Sequence, residues 1–283
     1  MYRKIMGFLE AWKENEHRKP LILQGARQVG KTYSILEFGR IHYENVAYFN
    51  FETNPKLNET FEEKISPDYL IPILSHIAGQ TIVKEKTLIV FDEVQLCERA
   101  LTSLKYFCED APDYHIIVAG SLLGVAVNRA KFSFPVGKVD MKTLYPMDME
   151  EFMIAMGEDE LVEQIKKCFE TNRPMPSALH DAAMQLYRQY LVVGGMPECV
   201  MQFVQTGDYI LIRHTQDTIL TSYLNDMSKY NNLNEIKKTR LAYDNITVQL
   251  SKKNTRFQYK LIKKGGRASE FENAIEWLCL SGI

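Results

Sequence analysis

The chain lacks any paired-cysteine signature. Its five cysteines, Cys97, Cys108, Cys168, Cys199 and Cys279, are scattered and form no C-x-x-C pair, which argues against a zinc site or a disulfide framework and for free thiols in a reducing compartment. No apolar run approaches the roughly 18 residues of a membrane-spanning helix. The charged start Met1-Tyr2-Arg3-Lys4 is not followed by an apolar core of signal-peptide length. A strong excess of one charge is also missing. The net charge of −2 gives no global reason to expect nucleic acid, and a 46% hydrophobic content gives none to expect disorder. What remains is a soluble cytoplasmic protein without a membrane partner, in which any basic surface is local. At 283 residues it is long enough to bury at least one sizeable core and to hold two or three units.

Against these absences one stretch stands out. Leu21-Ile22-Leu23 is followed by Gly25-Ala26-Arg27-Gln28-Val29-Gly30-Lys31-Thr32, the pattern G-x-x-x-x-G-K-[ST] placed between a strand and a helix start. The two glycines let the backbone fold around a polyphosphate, so that successive N–H groups and the helix N-terminus point at the anion. The nucleotide-binding set read here is Gly25, Arg27, Gln28, Val29, Gly30, Lys31, Thr32 and Tyr33. Lys31 reaches the β/γ-phosphates of ATP, and Thr32 supplies a hydroxyl to Mg²⁺. Arg27 lies in the variable part of the loop and reads as a packing or surface residue rather than a catalytic one.

A second motif lies sixty residues on. Thr87-Leu88-Ile89-Val90-Phe91 is a continuous apolar run suited to a strand buried on both faces of a parallel sheet. It ends in Asp92-Glu93, where open α/β sheets hold their ligands. In that place Asp92 holds Mg²⁺ and Glu93 polarises a water for attack on the γ-phosphate. Without the upstream loop, the same two acids read as a helix cap and a first-turn acid.

Further along the chain, residues 3–17 are helical by periodicity, residues 45–51 form a strand, and residues 55–81 hold helices punctuated by Pro67 and Pro72. A helix at 101–108 precedes a strand at 115–121. This alternation predicts an α/β fold with a parallel sheet and an extra strand between the two motif strands. Ser121, at the strand tip, either hydrogen-bonds the attacking water or the γ-phosphate, or caps a turn. Arg129 and Lys138 are the cations considered for contact with the γ-phosphate or a neighbouring subunit's nucleotide.

Residues 147–235 show no convincing strand and read as a helical bundle, with Gly194-Gly195 ending a helix and a methionine-rich core. Tyr187, Tyr190, Tyr223 and Tyr230 fall at helical spacing and read as packing residues. From Lys252 to Arg267, seven cations and no acids occur in sixteen residues, interleaved with Phe257 and Tyr259. The order helix, short segment, helix there resembles a helix-turn-helix core, with 271–280 as the recognition-helix candidate for DNA. Glu270, Glu272 and Glu276 on that helix would repel a phosphate backbone.

Taken together, residues 21–32, 87–95 and 115–124, the stretches at 134–139, 144–146 and 150–152, Gly194-Gly195-Met196-Pro197-Glu198 and Asp226-Met227-Ser228-Lys229-Tyr230 resemble the prokaryotic AAA-type ATP-binding proteins with an AAA_14 module followed by a DUF4143 domain. The resemblance implies a P-loop ATPase core, a three-layer parallel-sheet unit of the AAA+ superfamily, followed by a helical region and a winged-helix-like unit. It assigns the nucleotide site to Gly25, Gln28, Gly30, Lys31 and Thr32, the metal and water-activating acids to Asp92 and Glu93, and the sensor to Ser121. The expected units are 1–146, 147–235 and 236–283, with the chain truncated before or at the start of the family's C-terminal domain. Three activities fit: a Mg²⁺-dependent ATPase coupling nucleotide state to domain arrangement, a nucleotide-gated switch with negligible hydrolysis, and an ATP-regulated DNA-binding protein. A protein partner or self-association is also compatible.

Overall fold

Hydrophobic runs with a two-residue alternation of faces build the centre of the molecule. The computed structural model describes residues 1–120, 135–229, 233–253 and 256–282. Strands β1 (Leu21–Gln24), β2 (Asn45–Asn50), β3 (Thr87–Asp92), β4 (His115–Gly120) and β5 (Asp140–Thr143) form one sheet in the order β2-β3-β4-β1-β5. All pairings are parallel. Each of the three central strands is apolar on both faces. Leu21, Leu23, Leu88, Val90, Ile117 and Ala119 pack on one side with Ile5, Leu9 and Trp12 of α1 (Ile5–Glu14) and Ile35 and Phe38 of α2 (Lys31–His42). Ile22, Ile89, Phe91, Ile116 and Val118 pack on the other with α3 (Leu57–Glu63), α4 (Pro67–Ala78) and α5 (Glu98–Asp110). The result is an α/β/α sandwich.

Strand β4, which follows β3 in the chain, lies between β3 and β1. The expected extra strand between the two motif strands is therefore present. Pro67 opens α4, as its fixed φ allows at a first helical position, whereas Pro72 sits inside α4 instead of breaking it. Ser121 and Arg129 lie outside the described residues. Lys138 precedes β5, at the N-terminal ends of the parallel strands and so at the opposite end from the loop that follows β1, and pairs with Glu109 at 2.9 Å. Within its own chain it is not beside the phosphate loop, because the length of β5 intervenes.

The second half is helical. Helices Met149–Ala155, Ser177–Val193, Pro197–Thr206 and Tyr209–Lys229 enclose Met147, Phe152, Val193, Val200, Phe203, Ile212 and Ile219, and Asp159–Glu170 packs Leu161 and Val162 against Met153 and Leu186. Gly195 is required here, because a Cβ would lie 2.1 Å from the Met147 carbonyl oxygen. Helices Leu233–Asp244 and Ala268–Leu280 pack on the end of Tyr209–Lys229 through Met227, Ala242, Trp277 and Leu278. Two short helices, Ile246–Leu250 and Tyr259–Ile262, connect them. The described residues of 236–283 contain no strand, so a β-hairpin wing is not among them. Lys253, Arg256, Lys260, Lys263, Lys264 and Arg267 are exposed, with Lys263 paired to Glu270 at 2.9 Å. The exposed residues of Ala268–Leu280 include Glu272, Asn273 and Glu276.

Candidate active site

The loop between β1 and α2 is shaped by backbone that few residues tolerate. Gly25 has φ +148, and a Cβ there would lie 2.2 Å from the Leu144 carbonyl oxygen. Gln28 (φ 63) and Gly30 (φ 89) are left-handed on either side of Val29. Alternation of this kind turns successive N–H groups toward a common point and makes an anion-binding concavity. Helix α2 starts at Lys31 with no side-chain cap and no acid in its first turn. Its orphan N–H groups and the positive end of its dipole therefore remain for an anion.

Lys31 is buried, and its ammonium donates to the carbonyls of Gly25 and Ala26 at 2.8 and 2.7 Å. Burial lowers its pKa to about 8, against the opposing pull of Glu93 and Asp92, with Arg27 adding to the depression. The unfolded chain thus binds more protons than the folded one between about pH 8 and the ordinary lysine range, and stability rises with pH across that window. A phosphate beside Lys31 would restore the charged form. Binding of a polyphosphate at pH 8 is therefore expected to take up about half a proton. Titration calorimetry in buffers of different ionisation heat measures this uptake, and Lys31→Met should abolish it.

Thr32 and Asp92 meet across the sheet. The Thr32 hydroxyl donates to Asp92 Oδ2 at 2.8 Å, as does the Tyr48 hydroxyl, while the Glu93 N–H donates to Asp92 Oδ1 at 2.9 Å. Asp92 is 4% exposed. Glu93 has φ 52 and ψ 39, a left-handed conformation that non-glycine residues adopt at a cost, and its carboxylate accepts from the Gln95 amide. Lys31, Thr32 and Glu93 line one cleft of about 480 Å³ with Gln28, Gly30 and Tyr33. Arg27 also faces this cleft. Gly25 contributes its carbonyl, and the Val29 side chain is fully buried, which leaves only its backbone to act.

Several residues around the cleft carry no local sequence signal. Arg3, 4% exposed, donates to the Val29 carbonyl at 2.8 Å, to the Tyr145 carbonyl at 2.7 Å and to Glu151 Oε1 at 3.2 Å. Glu151 is itself set by a capping box with Asp148 at the start of Met149–Ala155. Pro197, Glu198 and Met201 of the bundle close the cleft from above. Arg27 pairs with Asp226 at 2.8 Å, and the Tyr223 hydroxyl donates to the Arg27 carbonyl at 2.8 Å. A Cβ on Gly282 would lie 2.9 Å from the Ala26 nitrogen. The reading of Arg27 as a packing residue fits this ion pair. The Pro197-Glu198 and Asp226 motifs, quoted above without a role, thus meet the phosphate loop.

Strand order, phosphate loop and acid-tipped central strand define a P-loop NTPase core of the AAA type, followed by a helical region. Residues 17–153 match the AAA_14 model, an AAA domain, and residues 184–283 match DUF8612, a domain of unknown function. The second match covers most of the stretch that the sequence resemblance divided into a helical region and a winged-helix-like unit. The fold is similar to that of the Walker-type ATPase PABY2304 of Pyrococcus abyssi, with a TM-score of 0.55 and 15% identity over 99% of this chain and 89% of that one. The ORC2 protein of Aeropyrum pernix matches at TM-score 0.48 and 11% identity, over 99% of this chain and 86% of that one. The Thermotoga maritima RuvB Holliday junction branch migration motor matches at 0.39 and 13%, over the same shares. No curated protein matches the sequence. No described helix is long and apolar enough to cross a membrane.

Proposed function

We propose that this chain is a Mg²⁺-dependent ATPase that couples its nucleotide state to the arrangement of its helical units. The observation that carries the reading is the convergence of Lys31, Thr32 and Glu93 on one cleft, with the Thr32 hydroxyl 2.8 Å from Asp92. The looped N–H groups of Gln28 to Thr32 bind the phosphates, and Lys31 exchanges its two carbonyl partners for β/γ-oxygens. Glu93 accepts a proton from the attacking water. The adjoining hydroxyl and carboxylate oxygens of Thr32 and Asp92 suit a hard divalent cation, and no cluster of three or more His, Cys, Asp or Glu among the described residues offers another metal site. Mg²⁺, when bound, neutralises charge on the β- and γ-phosphates.

Coupling is supported by two contacts on Arg27, from Tyr223 and Asp226, and by the close approach of Gly282 to Ala26, where a side chain would clash. A phosphate that reshapes the loop pulls on the helix Tyr209–Lys229, which belongs to the cores of both helical groups. We take 1–146 as the ATPase core, 147–235 as the helical lid and 236–283 as a third unit, in a cytoplasmic protein. The exposed cations between Lys253 and Arg267 support a DNA-contacting alternative, which the acidic outer face of Ala268–Leu280 opposes.

The test is steady-state phosphate release with Mg·ATP. Turnover that ceases on chelation of Mg²⁺ is the expected result. Tight ATP binding with no release would make the chain a nucleotide-gated switch.

A further inference from the structure

Asp92 has a hydroxyl partner that neither motif supplies. Tyr48 lies on the edge strand β2, two residues before Asn50, whose register partner is Asp92. Its side chain reaches diagonally to β3 and donates to Asp92 Oδ2 at 2.8 Å, the same oxygen that accepts from Thr32. With the Glu93 N–H on Oδ1, three donors fix the plane of this carboxylate. Oδ2 has both lone pairs engaged, and Oδ1 keeps one acceptor position.

The direction of the Tyr48 proton is also determined. Asn50 Oδ1 accepts from the backbone N–H groups of Glu52 and Thr53 at 2.8 and 3.0 Å, so its amide nitrogen faces Tyr48 and donates to the hydroxyl at 3.2 Å. The hydroxyl accepts there and is left to donate to Asp92.

We infer that Tyr48 is a positioning residue of the metal site, a hydroxyl that holds the Asp92 carboxylate in the orientation that meets Thr32 and a hydrated divalent cation. The inference rests on the ATPase reading. A chain of hydrogen bonds from the Glu52-Thr53 turn through Asn50 and Tyr48 to Asp92 is the physical basis. Partners of a metal-binding carboxylate tune metal affinity without touching the metal.

Calorimetry of ADP binding with saturating Mg²⁺ and with chelator tests this without requiring turnover. Tyr48→Phe keeps the ring and removes one oxygen at a position 38% exposed, where folding tolerates the change. It is expected to leave metal-free ADP affinity unaltered and to reduce the gain conferred by Mg²⁺ about tenfold. Asn50→Asp should act in the same direction, because the new carboxylate draws the Tyr48 proton away from Asp92. An unchanged Mg²⁺ gain in Tyr48→Phe overturns the inference. A wild-type chain that binds Mg·ADP but releases no phosphate from ATP overturns the ATPase reading instead, and one that binds no nucleotide overturns both.

Discussion

Replacing Glu93 with Gln lowers steady-state phosphate release by about 10²- to 10⁴-fold, the usual contribution of a positioned general base, while Mg·ATP still binds. The size of the effect follows from what the substitution spares. Glutamine matches the shape of glutamate, keeps the backbone N–H on Asp92 Oδ1 and leaves Thr32, Asp92 and Lys31 in place. It cannot accept a proton from water. The left-handed backbone at Glu93 persists in the variant, since it comes from the abrupt turn between β3 and the short helical turn Val94–Leu96. Phosphate release and nucleotide binding measured on the same preparation separate the outcomes. Equal turnover in wild type and variant would exclude Glu93 as the base.

The second large effect concerns folding. Arg3→Ala is expected to reduce stability by about 3–5 kcal/mol, because it leaves the buried Glu151 carboxylate without its cation. Both members of the pair are 4% exposed, and Arg3 also satisfies two backbone carbonyls. Only the Lys4 N–H and the capping box would remain on Glu151. Arg3→Lys restores charge but not the fork that reaches Val29, Tyr145 and Glu151 together, so it should recover only part of the loss. Urea denaturation provides the measurement, with the double substitution Arg3→Met, Glu151→Met as the informative companion. That variant should be more stable than Arg3→Ala, as no lone charge stays buried. A shift in Arg3→Ala below about 1 kcal/mol, the range of exposed pairs, would mean that water reaches Glu151.

Much of the sandwich is legible from local pattern. Thr87–Phe91 and His115–Gly120 are apolar on both faces, and only a strand covered on both sides reads that way. Strand β5 escapes the same logic. Its sequence, Asp140-Met141-Lys142-Thr143, occupies an edge with no fully buried residue, so nothing in its composition distinguishes it from a loop. The helix Pro197–Thr206 is missed for another reason: its start lies in the Gly194-Gly195 turn, whose glycines signal interruption more strongly than Pro197 signals initiation.

The site divides along the same line. Lys31, Thr32, Asp92 and Glu93 are legible because each sits within a few residues of the strand that carries it. Arg3 is not, since its partner Glu151 is 148 positions away and a single charge near a chain start has no periodicity to betray it. Tyr48 is hidden in the alternation of an edge strand, where an aromatic side chain ordinarily signifies packing. Asp226 and Tyr223 belong to a long helix whose pattern reveals its core face but not the loop it touches.

Strand β4 acts as a spacer. Adjacent strands stand about 4.8 Å apart, so inserting one strand sets the two motif-bearing strands about 10 Å from each other. Ile117 and Ala119, opposite Leu21 and Leu23 and wholly enclosed, meet no ligand. The backbone of β4, paired to β1 on one side and β3 on the other, gauges the distance that Thr32 must span to Asp92. A bulkier side chain at Ala119 would press into the layer of Ile35 and Phe38, costing stability and tilting the helix whose first turn carries Thr32, so the tolerance of the chemistry is set in the middle of the sheet.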